Sequence, residues 1–503
     1  MTDSRQIKAK KNIITSFASQ ILVMLCGIIV PRVMIGAFGS EAYGATTSIA
    51  QFLAYITLLE GGIGGVARAA LYKPLAQNDN ARISAIMEEI KKFFRVIGWI
   101  FAAYVLVLAV SFKSISAISC MDWISTAVLV LVISISIFGQ YFIGVSNSVL
   151  LQAAQKSYVT NFISIVATVL NAIFTVVLVS LGCNLIVVKL VSSIIFFWRP
   201  IALWLYVRKQ YELHKHTLAE RESYLTQKWS GLGQHIAFFL HSNTDVTVLT
   251  VLADLSTVAV YSVYNMIISH MQNLAISFSS GMEAIFGGML AREEKKELHE
   301  TFDIYESILS LVSILLFSVC AVLIIPFVRL YTAGITDANY EHPLFALLMI
   351  LTAVSYCLRL PYHSMTIAAG HFKQTGVAAY GEAILNVVLS IILVARFGLI
   401  GVAIATLVAT WFRFVYYVIY LSKHIFYRSV FRFVKRILVN AITFVVNCIV
   451  GLFIVSRINI SNYLLWIILG IVLCFLMGSL TVAFNFVFFA NSCKQAIKKF
   501  TKR

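Results

Sequence analysis

Eight charged side chains interrupt otherwise apolar stretches of the sequence, and their types indicate two kinds of chemistry. The basic members are Arg32, Lys189, Arg199, Arg359 and Arg413, and the acidic members are Glu60, Asp245 and Glu382. A guanidinium group binds phosphate oxygens two at a time. A carboxylate in an apolar environment binds a cation or a proton, or neutralises a nearby arginine. The basic set therefore predicts an anion-binding surface, and the acidic set predicts ion coupling or a charge relay.

Each of these side chains also has a plainer interpretation. Arg199 and Arg413 lie near the predicted cytoplasmic ends of their helices, where a long cationic side chain can extend to the interface. Lys189 and Arg32 can do the same on the outer side. The acidic residues can form structural ion pairs with arginines, and the sequence leaves this alternative open.

A glycine cluster directly follows Glu60, and two prolines interrupt apolar stretches elsewhere. These predicted hinge or packing residues are Gly61, Gly62, Gly64, Gly65, Pro31 and Pro361. Small residues allow helices to approach closely or bend. A phosphate-cradling loop is excluded because no Gly-Lys-Ser/Thr follows the glycines. Histidine and cysteine spacings fit no metal site, no catalytic constellation is apparent, and no cofactor is expected.

The composition determines which elements must position these residues. The chain of 503 residues is 60% hydrophobic and only 12% charged, with a mean hydropathy of +0.88. Soluble domains have about 25% charged residues. The chain is therefore predicted to be an all-α polytopic membrane protein, and not an enzyme with a soluble catalytic domain. Its net charge of +17 indicates positively charged cytoplasmic loops rather than binding to nucleic acid.

Hydropathy and length predict fourteen transmembrane helices. They cover 13–35, 44–67, 93–112, 123–149, 158–180, 184–207, 232–253, 258–281, 304–330, 343–366, 375–395, 398–421, 436–456 and 462–489. With the N-terminus inside, thirty Lys and Arg fall in inner segments and four in outer loops. This asymmetry predicts that both termini are cytoplasmic.

An internal repeat divides the first twelve helices into two halves. Residues 153–180 align without gaps with residues 368–395, an offset of 215, and seven of the 28 positions are identical. The offset places spans four and five on spans ten and eleven, so both halves have the same orientation, as in parallel-repeat transporters. The predicted organisation is an N-lobe (1–207), a cytoplasmic linker (208–231), a C-lobe (232–422), and an additional helix pair with a basic tail (423–503).

The beginning of the chain resembles a known family. The first predicted helix ends in Pro31-Arg32, a Tyr43-Gly44 pair follows in the first loop, and the second helix closes with Glu60 and the glycine cluster. These features resemble bacterial polysaccharide-transport flippases of the multidrug/oligosaccharidyl-lipid/polysaccharide exporter superfamily. Members often have Asp-Leu-Gly where this chain has Glu60-Gly61-Gly62. The span count, the repeat and the extra helix pair agree with the family over nearly the whole chain.

The resemblance implies a central cavity between two bundles, alternating access, and an undecaprenyl-type lipid-linked oligosaccharide as substrate. It further implies a monomer in the bacterial inner membrane, with a polysaccharide polymerase as a candidate partner in O-antigen or capsule synthesis. Three alternatives remain open: a flippase for the peptidoglycan lipid precursor, a cation-coupled multidrug antiporter of the same superfamily, and a membrane glycosyltransferase or polymerase.

Overall fold

A computed structural model describes residues 2–61, 63–116, 118–211, 232–279 and 281–501. Within these ranges the chain is almost entirely helical and contains no β-strand. Gly62 and most of the predicted linker, residues 212–231, lie outside the described residues. The prediction of an all-α polytopic membrane protein is confirmed.

The chain forms two compact units. The first comprises Met1–Phe239 with Asp254–Ala259, and the second comprises Leu240–Ala253 with Val260–Arg503. The helices up to residue 210 are α1 (Thr2–Ala54), α2 (Ile63–Gln77), α3 (Asn80–Ser116), α4 (Trp123–Gly139), α5 (Val145–Ala153), α6 (Ser157–Ser180) and α7 (Leu185–Gln210). A 3₁₀ segment, Tyr55–Glu60, follows α1, and a single π-helical turn, Gln140–Gly144, joins α4 to α5.

The later helices begin at residue 232. They are α8 (Leu232–Leu252), α9 (Leu255–Ser277), α10 (Met282–Ala291), α11 (Lys295–Tyr331), α12 (Pro343–Ala368), α13 (Phe372–His424), α14 (Phe431–Val455) and α15 (Tyr463–Thr501).

The described residues contain eleven helical stretches long and apolar enough to cross a membrane. Two of them are divided by a break, at Gly39 in α1 and at Gly398 in α13, and a third break, at Phe489, lies next to the end of the stretch in α15. Dividing these two stretches at the glycines gives thirteen, and the 21-residue α8, which is not among them, coincides with the predicted span 232–253. The two breaks that divide a stretch therefore lie at glycines, whereas Pro31 and Pro361 lie within α1 and α12.

The sequence repeat extends to backbone geometry. Helices α5 and α12 end at Ala153 and Ala368, and α6 and α13 begin four residues later at Ser157 and Phe372. The three backbone hydrogen bonds that close the first turn recur in the second at the same offset of 215. Each turn also contains one residue with positive φ, at equivalent positions: Gln155 at 58° and Gly370 at 72°.

Polar contacts hold the helices of the first unit together. Because lipid tails are as apolar as the helices, packing and interhelical hydrogen bonds must stabilise their association. Asn12 of α1 binds the turn before α6, donating to the Gln155 carbonyl at 3.0 Å and accepting from the Tyr158 amide at 2.8 Å. One turn further along, Asn161 donates to Ser16 Oγ at 2.8 Å. These bonds fix α1 against α6.

The last two helices are fixed to α11 in the second unit. Asn447 of α14 donates to Thr481 Oγ1 of α15 at 2.9 Å and lies 3.4 Å from Ser318 Oγ of α11. Trp466 of α15 donates through Nε1 to the Leu323 carbonyl at 3.0 Å. A Cβ at Gly451 would lie 2.3 Å from Met477 Cε and close to Val322, so glycine permits close packing of α14.

Candidate functional site

Three of the predicted charges form one buried triad in the second unit. Arg359 of α12 donates to Glu382 Oε1 at 2.7 Å, and Arg413 donates to Glu382 Oε2 at 2.6 Å. Glu382 and Arg413 both belong to α13, on opposite sides of its Gly398 break. The side chain of Glu382 is fully buried, and those of Arg359 and Arg413 are 5% and 12% exposed. Two cations share one anion, so the triad has a net charge of +1.

Aromatic side chains surround the triad. Arg413 donates to Tyr417 Oη at 2.9 Å and lies over the Tyr417 ring, and Arg359 lies over the Tyr356 ring at 4.8 Å. Cation–π contacts of this kind partly replace the hydration that a buried guanidinium loses. His363, four residues after Arg359 on α12, stacks on Tyr417 with ring centroids 5.8 Å apart. The triad is therefore held rigidly on several sides.

Asp245 lies in a separate polar cluster of the second unit. Its Oδ2 accepts from Tyr261 Oη at 3.0 Å, and its Oδ1 lies 2.9 Å from Thr406 Oγ1. Thr406 in turn accepts from Asn386 Nδ2 at 2.9 Å. Asn386 Oδ1 is one of several buried side-chain atoms in the described residues that have no hydrogen-bond partner. The cluster thus combines one buried carboxylate with several neutral oxygens, the donor type that hard cations prefer.

Glu60 lies at an irregular point of the first unit. It accepts from Tyr141 Oη at 2.6 Å, which joins the end of the 3₁₀ segment to the π-helical turn. Gly61 then adopts the left-handed conformation, with φ 57°. The predicted second span is therefore interrupted directly after Glu60. Gly64 and Gly65 lie in the first turn of α2, where Arg68 is the nearest side chain.

The remaining predicted cations belong to the first unit and do not join the triad. Arg199 of α7 donates to Ser164 Oγ of α6 at 2.9 Å. Lys189 lies one turn into α7 and is partly buried. Arg32 is also partly buried, and its Nη1 would lie 3.1 Å from a Cβ at Gly36. The structure therefore unites two of the five predicted cations with one of the three acids.

A second buried ion cluster was missed by the sequence analysis. Glu306 of α11 lies 3.4 Å from Arg436 Nε of α14, and the two side chains are 4% and 3% exposed. Arg428 and Arg432 pair with Asp303, one turn before Glu306, at 3.1 and 2.6 Å. These residues lie near span ends, where charges are normally solvated. The signal available in the sequence was that Glu306 lies just inside the predicted span 304–330.

No protein-family model matches the sequence, and no curated protein resembles it at a significant level. Solved structures do resemble it. The lipid II flippase MurJ in its inward closed conformation matches with a TM-score of 0.66 at 16% identity, over 95% of this chain and 99% of that chain.

Two multidrug transporters of the MATE type show the same fold over a shorter part of the chain. An inward-facing MATE family transporter of the MOP superfamily matches with a TM-score of 0.52 at 13% identity, over 82% of this chain and 98% of that one. The MATE multidrug transporter DinF-BH matches with a TM-score of 0.54 at 19% identity, over 84% and 97%. The chain therefore has the multi-pass helical membrane fold that MurJ and the MATE transporters share.

Proposed function

We propose that this protein is a flippase that moves polyprenyl-diphosphate-linked oligosaccharide across the cytoplasmic membrane by alternating access. The observation that carries the proposal is the extent of the structural match. MurJ covers 95% of the chain, and the uncovered part is shorter than the 39-residue α15 alone. The MATE matches leave 16–18% of the chain uncovered, a remainder longer than α14 and α15 together. The nearly complete coverage by MurJ thus supports the lipid-flippase branch of the fold.

The charge of the second unit supports an anionic substrate. A diphosphate requires cationic donors, and the Arg359–Glu382–Arg413 triad keeps one positive charge uncompensated within itself. Maintaining a buried cation in a membrane is costly, so such a residue usually serves function. We propose that the triad contributes to the attraction of the diphosphate, together with Arg32, Lys189 and Arg199 in the first unit.

The Asp245 cluster supports coupling to a cation gradient. Asn386 Oδ1, which is buried without a hydrogen-bond partner in the described part of the chain and belongs to a side chain bonded to Thr406, would gain a favourable interaction from a cation held by Asp245. We propose that Asp245 binds a monovalent cation or a proton during the transport cycle. The energy for transport would then come from an ion gradient, with Glu60 and Glu382 as charge relays.

Deletion of the gene followed by mass spectrometry of extracted lipids tests the proposal. The expected result is an accumulation of polyprenyl-diphosphate glycans together with loss of a surface polysaccharide, and the mass of the glycan identifies the repeat unit. Unchanged lipids with raised sensitivity to cationic drugs would contradict the proposal and support a multidrug antiporter.

A second candidate is a flippase for the peptidoglycan lipid precursor, which the name of the MurJ match favours. The same lipid extract separates the two candidates. Accumulation of a muropeptide-bearing lipid, with surface polysaccharide unchanged, would support the second candidate. Proteins that act next to the flippase, including a polysaccharide polymerase, would be partners under the first.

A further inference from the structure

Tyr362 is the point at which four helices of the second unit meet. It lies on α12 next to Pro361, is 1% exposed, and donates a hydrogen bond to Glu306 Oε1 of α11. Its ring packs against Phe414 of α13 and Phe433 of α14, with centroids 5.9 and 6.0 Å apart. One side chain therefore connects α12 with α11, α13 and α14.

Glu306 connects Tyr362 to the C-terminal helix pair. Its other carboxylate oxygen, Oε2, lies 3.4 Å from Arg436 Nε, without hydrogen-bond alignment. Arg436 also donates to Ser307 Oγ at 3.0 Å, and its guanidinium lies 4.6 Å from the Phe489 ring of α15. Arg436 is thus fixed to α11 and α15 as well as to Glu306. A chain of contacts runs from α15 through α14 to α12.

The same short stretch of α12 carries the triad arginine. Arg359 precedes Tyr362 by three residues, so a movement of α12 that displaces Tyr362 also displaces Arg359. Arg359 points to Glu382 of α13, whereas Tyr362 points to Glu306 of α11. The two buried ion clusters therefore hold adjacent faces of one helix.

We propose that Tyr362, Glu306 and Arg436 form a positioning joint, through which the C-terminal helix pair holds α12 and sets the position of Arg359. The joint itself follows from the contacts. Its effect on the handling of an anionic substrate rests on the proposed function. The joint gives α14 and α15 control over the geometry of the triad.

Cys357 provides a natural reporter for the position of α12. It lies two residues before Arg359 and five residues before Tyr362, and it is fully buried. The experiment measures the rate of N-ethylmaleimide labelling at each cysteine of the purified full-length protein, resolved by peptide mass spectrometry. The variants are Tyr362→Phe, Glu306→Gln, Arg436→Gln and the double variant Glu306→Gln/Arg436→Gln.

The matched control is Arg432→Gln. Arg432 lies one turn before Arg436 on α14 but pairs with Asp303, and its side chain is 44% exposed. Cys320 of α11 and Cys448 of α14 report general loosening of the protein, because both lie outside α12.

Tyr362→Phe removes the hydrogen bond to the Glu306 carboxylate, and each single charge variant removes one partner of the buried Glu306–Arg436 ion pair. Both kinds of change are expected to accelerate labelling of Cys357 roughly tenfold. Labelling of Cys320 and Cys448 should stay unchanged, and the neutral double variant should restore most of the protection. Equal acceleration at all three cysteines, or unchanged labelling of Cys357, would contradict the proposed positioning joint.

A transport assay with a polyprenyl-diphosphate glycan separates the joint from the proposed function. If labelling changes as expected and the parent protein moves the glycan, the joint variants should have a raised KM because Arg359 is displaced. An unchanged KM would overturn the effect on substrate. If the parent protein moves no glycan, the proposed function is wrong. The labelling result still tests the proposed positioning joint on its own.

Discussion

The buried Arg359 depends on Glu382 for its compensation. Removing one partner of a buried pair leaves the other charge unpaired, which costs about 3–5 kcal/mol. We therefore expect Glu382→Ala, which leaves both Arg359 and Arg413 without their carboxylate, to lower the stability of the purified protein substantially in thermal unfolding. The comparison is Arg329→Ala, because the pair between Arg329 and Glu341 is exposed and should contribute at most about 1 kcal/mol. Equal midpoints for the two variants would contradict a structural role for the triad.

Asp245 allows a test of ion coupling at a single residue. Asp245→Asn keeps the size of the side chain and one acceptor oxygen, removes the charge, and replaces the second acceptor by an amide donor. We expect transport by the parent protein to depend on the Na⁺ or proton gradient, and this dependence to vanish in the variant. Transport that responds to the gradient equally in both proteins would leave Asp245 with a structural role only.

The sequence identified residues of the triad and of the Asp245 cluster for a simple reason. Charges in apolar segments are rare, so Arg359, Arg413, Glu382 and Asp245 are conspicuous. It could not show which charges pair, because partners such as Arg359 and Glu382 lie on different helices. Tyr141, which binds Glu60, was not conspicuous, since tyrosine is common in membrane helices.

The turns between α5 and α6 and between α12 and α13 differ at the position with positive φ, which is Gln155 in the first turn and Gly370 in the second. Gly370 has φ 72°, a conformation that costs a residue with a Cβ roughly 1–2 kcal/mol. We expect Gly370→Ala to destabilise the turn by about 1 kcal/mol. The equivalent substitution Gln155→Ala should be nearly neutral, because Gln155 already bears a Cβ at φ 58°. Denaturation of both variants measures the difference, and equal effects would contradict the left-handed conformation at Gly370 as the source of the cost.

Helices were predicted well in their apolar centres and less well at their ends. Both α3 and α11 have 37 residues and begin before their predicted spans, which start at 93 and 304. Hydropathy detects the membrane-crossing part of a helix, but an amphipathic extension outside the bilayer costs little and stays invisible to it. The Glu60 interruption was indicated by the glycines, while the π-helical turn left no comparable signal.

The topology of the whole molecule can be tested at Cys120. It is exposed between α3 and α4, a segment predicted to lie outside. Partial burial and the nearby Glu41 carboxylate raise the pKa of the Cys120 thiol to about 11. Since the thiolate is the reactive form, labelling of intact cells by a membrane-impermeant maleimide should be slow at pH 7 and accelerate towards pH 9. Labelling of Cys120 only after permeabilisation would reverse the predicted orientation.

For the whole chain, the sequence predicts the fold but does not predict the sugar of the substrate. The repeat offset of 215 reappears in the boundaries of α5, α6, α12 and α13, because hydrophobic pattern and turn residues are local properties. The identity of the sugar depends on side chains contributed by distant helices. It therefore leaves no motif in the sequence.

The most direct test of the central claim is transport by the purified protein in liposomes. A fluorescent polyprenyl-diphosphate disaccharide is placed in both leaflets, and an impermeant quencher is added outside. We predict that quenching proceeds beyond the outer-leaflet fraction with this protein and stops there in protein-free liposomes. Quenching limited to the outer leaflet, while the same vesicles transport a cationic dye, would contradict the account.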